Sequence, residues 1–508
     1  MIGKTLGDSF MNLRKSLCWM LLAACAPVFA QDANTVVADA SKAMGLDGVT
    51  SLYYYGSGAN YSIGQNNNAN IPWPKTPLNE YVRAIDFSRP ASRATWTTYA
   101  TPVTGGAPSL VNAQQNILPT ATAWGQQLEI WTTPWGFLKG AAANGATVKA
   151  ETLNGKRYQV VTWNSPTKSP GGQAYKVVGY INADKMVEKV QTWLEHAVFG
   201  DMLVETDYSF YRDNNGLKYP TEIVQKRAGW PVFDLQVLGA FANPAKLAQL
   251  MAAPAPAGGP GGPGGPPPGG PPPGAGAPAG PPPAASAKLA DGVYHIKGAY
   301  NSVAVEFADY VLLFEPGPQN EARALAGIAE TKRLFPTKPI RYGVITHHHI
   351  DHTGGIAAVA AEGITIVTPE VNKEFLMRAL SGPRTLAPDA LARSGKKPVV
   401  EGFTGDKRVF RDATRTMEIH VIKGLPHADG LVIGWLPKEG ILIYADMFNF
   451  PPAATPVPDP QVIGTRVFAE NIARLGLDPT GGILSIHTMN PDRLVTLQEI
   501  RASLGLTN

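Results

Sequence analysis

Between Ala252 and Ala285 the chain is almost entirely proline, glycine and alanine, as in Gly258-Gly259-Pro260-Gly261-Gly262-Pro263. Such a stretch cannot enter a core, because its small side chains bury little and each proline removes a donor that a sheet would need. It reads as a hydrated, semi-extended linker. A strict collagen register is not kept through Pro266-Pro267-Pro268 and Pro271-Pro272-Pro273. Taken as 251–288 with its flanks, the tract divides a 508-residue chain that is already long for one core. Two folded units are expected, at 31–250 and 289–508.

The first thirty residues read as a secretory leader. Arg14 and Lys15 precede a short apolar run, and Val28-Phe29-Ala30 gives a small-residue ending before Gln31. The run is too short to span a bilayer permanently, and Met11 offers a second start. A buried N-terminal helix is the alternative. Cleavage after Ala30 removes Cys18 and Cys25, the chain's two cysteines, and leaves a periplasmic or secreted protein without thiols. Leu22-Ala23-Ala24-Cys25 also resembles a bacterial lipoprotein box, which would place the protein on a membrane through Cys25. The net charge is +4, and Lys4, Arg14 and Lys15 against Asp8 supply about half of it. No basic stripe is present, so nucleic acid is not an expected partner. The oligomeric state is not readable.

The unit 31–250 opens with an expected helix at 34–44. Strand-like segments follow at 51–55, 81–87, 127–131, 158–163, 176–181, 202–211 and 221–226. Segments 202–211 and 217–226, joined across Asp213-Asn214-Asn215-Gly216, read as a hairpin. A mostly antiparallel, β-rich (α+β) domain follows, with one face under helix and one partly open. Its histidine, His196, reads as structural, and no catalytic cluster is visible.

The unit 289–508 alternates strands with helices. Strands are expected at 303–307, 310–314, 340–345, 364–368, 431–436, 441–444 and 483–486, with helices at 320–334 and 355–362. This is an α/β layered pattern. Where the strand 340–345 ends, the chain reads Thr346-His347-His348-His349-Ile350-Asp351-His352-Thr353-Gly354-Gly355. In extended backbone, side chains two apart point the same way, so His347 and His349 can share one ion. The following turn brings Asp351 and His352 to a second position. Gly354 and Gly355 are expected to relieve crowding beside the cluster. Imidazole with carboxylate suits zinc, with iron or manganese as alternatives.

His347-x-His349-x-Asp351-His352 resembles the HxHxDH signature of the metallo-β-lactamase superfamily. Three downstream residues extend the resemblance. His427 lies in Gly424-Leu425-Pro426-His427-Ala428-Asp429, Asp446 follows the strand 441–444, and His487 follows the strand 483–486. The resemblance implies an αββα sandwich with two zinc ions per chain. His347, His349 and His427 would hold the first, Asp351, His352 and His487 the second, and Asp446 would bridge them. His348 holds the variable position and is expected to point away, while His295 and His420 read as structural or exposed.

The family's chemistry implies a metal-dependent hydrolase in which paired cations ionise a shared water to attack a carbonyl-type small molecule such as a lactone, ester or β-lactam. Asp351 would be the catalytic residue, orienting the nucleophile or passing a proton to the leaving group. Alternatives are an iron-dependent sulfur dioxygenase-like enzyme, an alkylsulfatase or phosphodiesterase, and a non-enzymatic binding protein. His349 stands where flavodiiron-type members carry Glu, which disfavours that branch. Loss of both cysteines disfavours the thiolate-dependent β-lactamases. Export disfavours cytosolic tRNA-processing and glyoxalase roles. Loops 379–397 and 448–461 are expected to choose the substrate, Phe448 and Phe450 in the second forming an apolar wall.

Overall fold

Along 202–208 every second side chain, Met202, Val204, Thr206 and Tyr208, is buried, while Leu203, Glu205 and Asp207 stay half exposed. That period of two is the signature of a strand with one face on a core. The computed structural model describes residues 32–100, 109–252, 283–450 and 462–506. The expected leader at 1–30 with Cys18 and Cys25, nearly all of the Pro/Gly/Ala tract, and most of loop 448–461 lie outside the described residues. Among the described residues no helix is long and apolar enough to cross a membrane.

The strand Gly200–Asn214 pairs with Leu217–Arg227 across Asn215-Gly216, as the expected hairpin. It belongs to a single sheet of eleven strands running from Ser51 to Ala242, every pairing antiparallel. The first strand, Ser51–Tyr61, pairs with the last, Trp230–Ala242, so two meanders spread from the middle of the sheet. Helices Ala33–Ala43, Trp124–Trp131 and Pro134–Ala143 cover one face. Val36, Ala40, Trp124, Leu128, Trp135 and Phe137 pack there onto Leu52, Tyr54, Ile85, Val161 and Val204. The segment 127–131, expected as a strand, is the end of a helix. Trp124 and Leu128, one turn apart, enter the same core, and Trp131 Nε1 donates to Gln127 Oε1 at 2.9 Å. A short apolar run does not reveal its own period, and the i,i+4 partners decide it.

In the C-terminal region the strands Ser302–Glu306 and Val311–Phe314 are buried on both sides. Val303, Val305, Leu312 and Phe314 face one cluster, while Ala304, Val311 and Leu313 face another. The first cluster lies between two sheets, one of seven strands and one of five. Met417, Ile419, Val432, Ile443 and Leu484 of the smaller sheet complete it. Outside the larger sheet lie the helices Glu321–Leu334, Ile356–Glu362 and Glu370–Ser381. Outside the smaller lie Ile463–Leu475 and Leu497–Ser503, packed through Val467, Phe468, Ile472 and Ile500. The result is the expected αββα sandwich, and the seven expected strands fall within one residue of their observed ends.

Contacts between the two regions are both apolar and polar: Ala69, Val198 and Phe199 join a hydrophobic cluster of the C-terminal region, and Phe199 meets Phe375 edge-on at 5.9 Å. Asp201 accepts from the backbone N–H of Thr385 and Leu386, each at 2.9 Å. The Arg384 guanidinium donates to Val198 O at 2.8 Å and Ala197 O at 3.3 Å. The loop 379–397, expected to choose the substrate, is largely committed to this seam. A buried arginine needs several acceptors, and the turn between the strands Val187–His196 and Gly200–Asn214 supplies two of them.

Candidate metal centre

The strand Ile340–Val344 delivers Thr346 through His349 into the interior. A short helix, Ile350–Thr353, then turns the chain so that Asp351 and His352 face back. His427 comes from the loop between strands Thr416–Val421 and Val432–Leu436. Asp446 lies two residues past Ile441–Tyr444, and His487 two residues past Gly482–Ser485. Asp446 holds a left-handed backbone, φ 59°, a conformation that aspartate tolerates and that aims its carboxylate off the strand end. His487 pairs through its backbone with Tyr300, tying the end of the smaller sheet to the larger.

These segments gather two groups of side chains that could each hold a metal ion. His347, His349 and His427 form one, and Asp351, His352, Asp446 and His487 the other, with the ligand atoms of each group within 4.8 Å of one another. The Asp446 carboxylate faces both. Its Oδ2 lies 3.0 Å from His352 Nε2, 3.6 Å from His347 Nε2 and 3.9 Å from His427 Nε2, while Oδ1 lies 2.8 Å from His487 Nε2. All seven residues expected from the sequence are therefore in one place.

The donor set fits a cation. His347 Nε2, His427 Nε2 and Asp446 Oδ2 are buried without hydrogen-bond partners, and buried polar atoms are seldom left so. The outer nitrogens, by contrast, are engaged. His352 Nδ1–H donates to the carboxylate of Glu315 at 2.9 Å, and His349 Nε2–H donates to the carbonyl of Asn66 at 2.9 Å. Only a protonated nitrogen can serve those acceptors, which leaves the His349 Nδ1 lone pair free, while His352 Nε2 lies 3.1 Å from His487 Nε2 and 3.0 Å from Asp446 Oδ2. His347 Nδ1 lies 3.1 Å from the Thr346 hydroxyl.

Electrostatics agree. Burial, then the neighbouring His352, holds His347 well below the usual histidine range. Burial and His427 push His349 down to about 4, and burial lowers His427. All three are neutral at pH 7, the form in which imidazole binds a cation. At His352 burial opposes protonation, but the carboxylates of Glu315 and Asp446 outweigh it and hold the ring well above its ordinary value. Burial would raise the Asp446 carboxyl, yet His352 and His487 hold it well below the usual carboxylate range. At Asp351 burial would raise the carboxyl, but His352, the Tyr300 hydrogen bond and a backbone N–H together hold it below its ordinary value. Carboxylates that draw a proton onto His352 attract a doubly charged cation more strongly.

Several side chains around the centre were not expected. Glu315 is fully buried in a left-handed conformation, φ 56°, at the end of the apolar strand Val311–Phe314. Its Oε2 also accepts from Thr346 N at 3.0 Å. An acidic residue closing a wholly apolar strand is the same signal that marked Asp446. Tyr300 OH donates to Asp351 Oδ2 at 3.0 Å. Gln65 and Asn66 reach the centre from the N-terminal sheet, and nothing near the motif announces them.

His348 points away from the centre as expected, but it is buried, with Nε2 2.9 Å from Asn66 O. His295, His420 and His196 stand outside both groups. His420 pairs with Glu418 at 2.8 Å, and His196 Nδ1 accepts from Val198 N at 3.1 Å. Gly354 and Gly355 relieve crowding against a neighbouring loop and not against the cluster. A Cβ at Gly354 would sit 2.0 Å from Gln319 O, and one at Gly355 2.5 Å from Asn320 O. Phe448, expected in a cleft wall, is instead buried under the helix Ile463–Leu475, because the strand before it leads straight into that core.

Fold and site together define a domain of the metallo-beta-lactamase superfamily in the C-terminal region, and residues 296–480 match the model of that family. His487 lies just beyond the matched span. The chain is similar to 2,4-dinitroanisole O-demethylase subunit alpha of Nocardioides sp. (strain JS1661), 25% identical over 193 residues, 37% of this chain and 51% of that one. It is also similar to a serine hydroxymethyltransferase of Thermococcus gammatolerans, 26% identical over 165 residues, 32% of this chain and 35% of that one. The chain thus spans about half and about a third of these relatives' lengths. Among solved structures, a metallo-beta-lactamase from Pontibacter korlensis is 17% identical with a TM-score of 0.31, covering 44% of this chain and 97% of that one. Another from Erythrobacter litoralis is 18% identical with a TM-score of 0.32, covering 44% and 94%.

Proposed function

We propose that the protein is an exported two-zinc hydrolase of small carbonyl compounds such as lactones, esters or β-lactams. The observation that carries this reading is the Asp446 carboxylate, which faces His347 and His427 in one group and His352 and His487 in the other. His347, His349 and His427 would hold one cation, and Asp351, His352 and His487 the other, with Asp446 between them. Cations so held lower the pKa of water toward about 7 and polarise a carbonyl oxygen.

The protein's own groups do the positioning. Glu315 and Asn66 fix the tautomers of His352 and His349, so neither ring must reorganise during turnover. Asp351 is clamped between Tyr300 OH at 3.0 Å and Gln65 Nε2 at 3.1 Å. Held there, it orients the attacking water and relays a proton to the leaving group.

A panel of lactones, aryl esters, thioesters, β-lactams, sulfate esters and phosphodiesters, with and without chelator, tests the reading. The similarity to the O-demethylase subunit adds an activated aryl methyl ether to it. Chelator-sensitive turnover of a carbonyl compound is the expected result. Turnover indifferent to chelator, or none at all, overturns it. One iron per chain with oxygen uptake would move the assignment to the dioxygenase chemistry.

A further inference from the structure

The segment 62–74 joins the strands Ser51–Tyr61 and Lys75–Asp86 of the N-terminal sheet, yet its residues pack into the C-terminal domain. Gly64 has φ +71°, and a Cβ there would lie 2.3 Å from Ile350 Cγ2, so only glycine lets the segment lie against the metal motif. Gln65 Nε2 donates to Asp351 Oδ1 at 3.1 Å. The Asn66 carbonyl accepts from both His348 Nε2 and His349 Nε2 at 2.9 Å. The buried Asn66 side chain donates to Asn68 O at 2.6 Å and Ile71 O at 2.9 Å, which fixes the direction of that carbonyl. Asn67 O accepts from Asp429 N at 2.5 Å, and Asn68 Nδ2 donates to Asp429 Oδ2 at 3.0 Å, so the loop carrying His427 is held by the same segment.

We propose that segment 64–68 of the N-terminal domain is a working part of the metal centre, with Asn66 as the positioning residue of the His349 site and Gln65 as that of the Asp351 site. The proposal rests on the two-cation reading above. It assigns the N-terminal domain a role that its sequence does not disclose. Without the Asn66 side chain, the carbonyl that selects the His349 tautomer loses the two anchors that aim it. Without Gln65, one oxygen of Asp351 loses its donor while Tyr300 still holds the other. Each variant should therefore weaken a different cation site, whereas a merely structural loop would weaken both together.

The test is zinc titration of the full-length protein against a competing chromophoric chelator, for the wild type, Asn66→Ala, Gln65→Ala and Lys75→Ala. The wild type should bind two zinc ions per chain. Asn66→Ala should weaken one binding step and Gln65→Ala the other, each by about 10–100-fold. Lys75→Ala, outside the segment at an exposed residue that pairs with Asp234 at 3.2 Å, should match the wild type. Should Asn66→Ala fail to fold, the half-buried Gln65 still gives a decisive arm. Wild-type affinity in both variants, or equal weakening of both steps with a lowered melting midpoint of the metal-free protein, overturns the proposal. A wild type that binds no zinc overturns the metal reading itself, and the proposal with it.

Discussion

The Nδ1–H of His352 donates to Oε1 of Glu315 across 2.9 Å, and both side chains are wholly shielded from solvent. The second oxygen of Glu315 accepts from Thr346 N, so one carboxylate fixes both the ring and the strand end that presents it. Glu315→Gln keeps the shape but cannot satisfy both donors. The expected result is a 10–100-fold loss of affinity for the cation at the His352 group and a loss of about 1–3 kcal/mol in stability. Zinc titration and urea unfolding of the metal-free protein measure the two effects. Unchanged affinity would show that His352 needs no such partner.

Asp351 is held from both sides, by Tyr300 and by Gln65. Asp351→Asn should lower kcat by about 10²–10⁴-fold while the circular dichroism spectrum stays that of the wild type. Turnover at the wild-type rate would remove Asp351 from the chemistry.

Arg384 bridges the regions, donating to Val198 O and Ala379 O and pairing with Asp389 at 2.5 Å, with its side chain almost wholly enclosed. Arg384→Met removes the charge and leaves Asp389 and the carbonyls without their donor. A destabilisation of about 3–5 kcal/mol is expected, read as a lower midpoint in chemical denaturation. A midpoint equal to the wild type would mean the seam carries no stability.

Burial, then the nearby Arg227 and Arg384, pushes His196 down to about 4 from its ordinary value of 6.5. Between those values the unfolded chain takes up a proton that the native state refuses. This residue's contribution is therefore level above pH 6.5 and is lost as the pH falls toward about 4, at up to about 1.4 kcal/mol per unit. His196→Asn keeps an acceptor for Val198 N and should flatten that part of the stability profile. An unchanged slope in urea titrations between pH 6.5 and 4 would contradict it.

Six of the seven metal ligands were legible because they close an apolar strand or sit in one tight motif, His427 standing in a loop between strands, and sandwich strands buried on both faces announce themselves as apolar runs. Glu315 carries the same signal as Asp446, an acidic residue closing an apolar strand, but no motif points to it. The helix Trp124–Trp131 was hidden because eight residues show too little of any period. Gln65 and Asn66 were out of reach for a different reason. Gln65 meets Asp351 across a sequence separation of 286 residues, and no local pattern records which loop of one sheet will lie on another domain.

The most direct measurement is anomalous diffraction from crystals of the full-length protein grown with zinc. Two peaks are expected, one at about 2.0–2.2 Å from nitrogens of His347, His349 and His427, the other at that distance from Asp351, His352 and His487, with Asp446 reaching both. A single peak, or none among these side chains, would contradict the account.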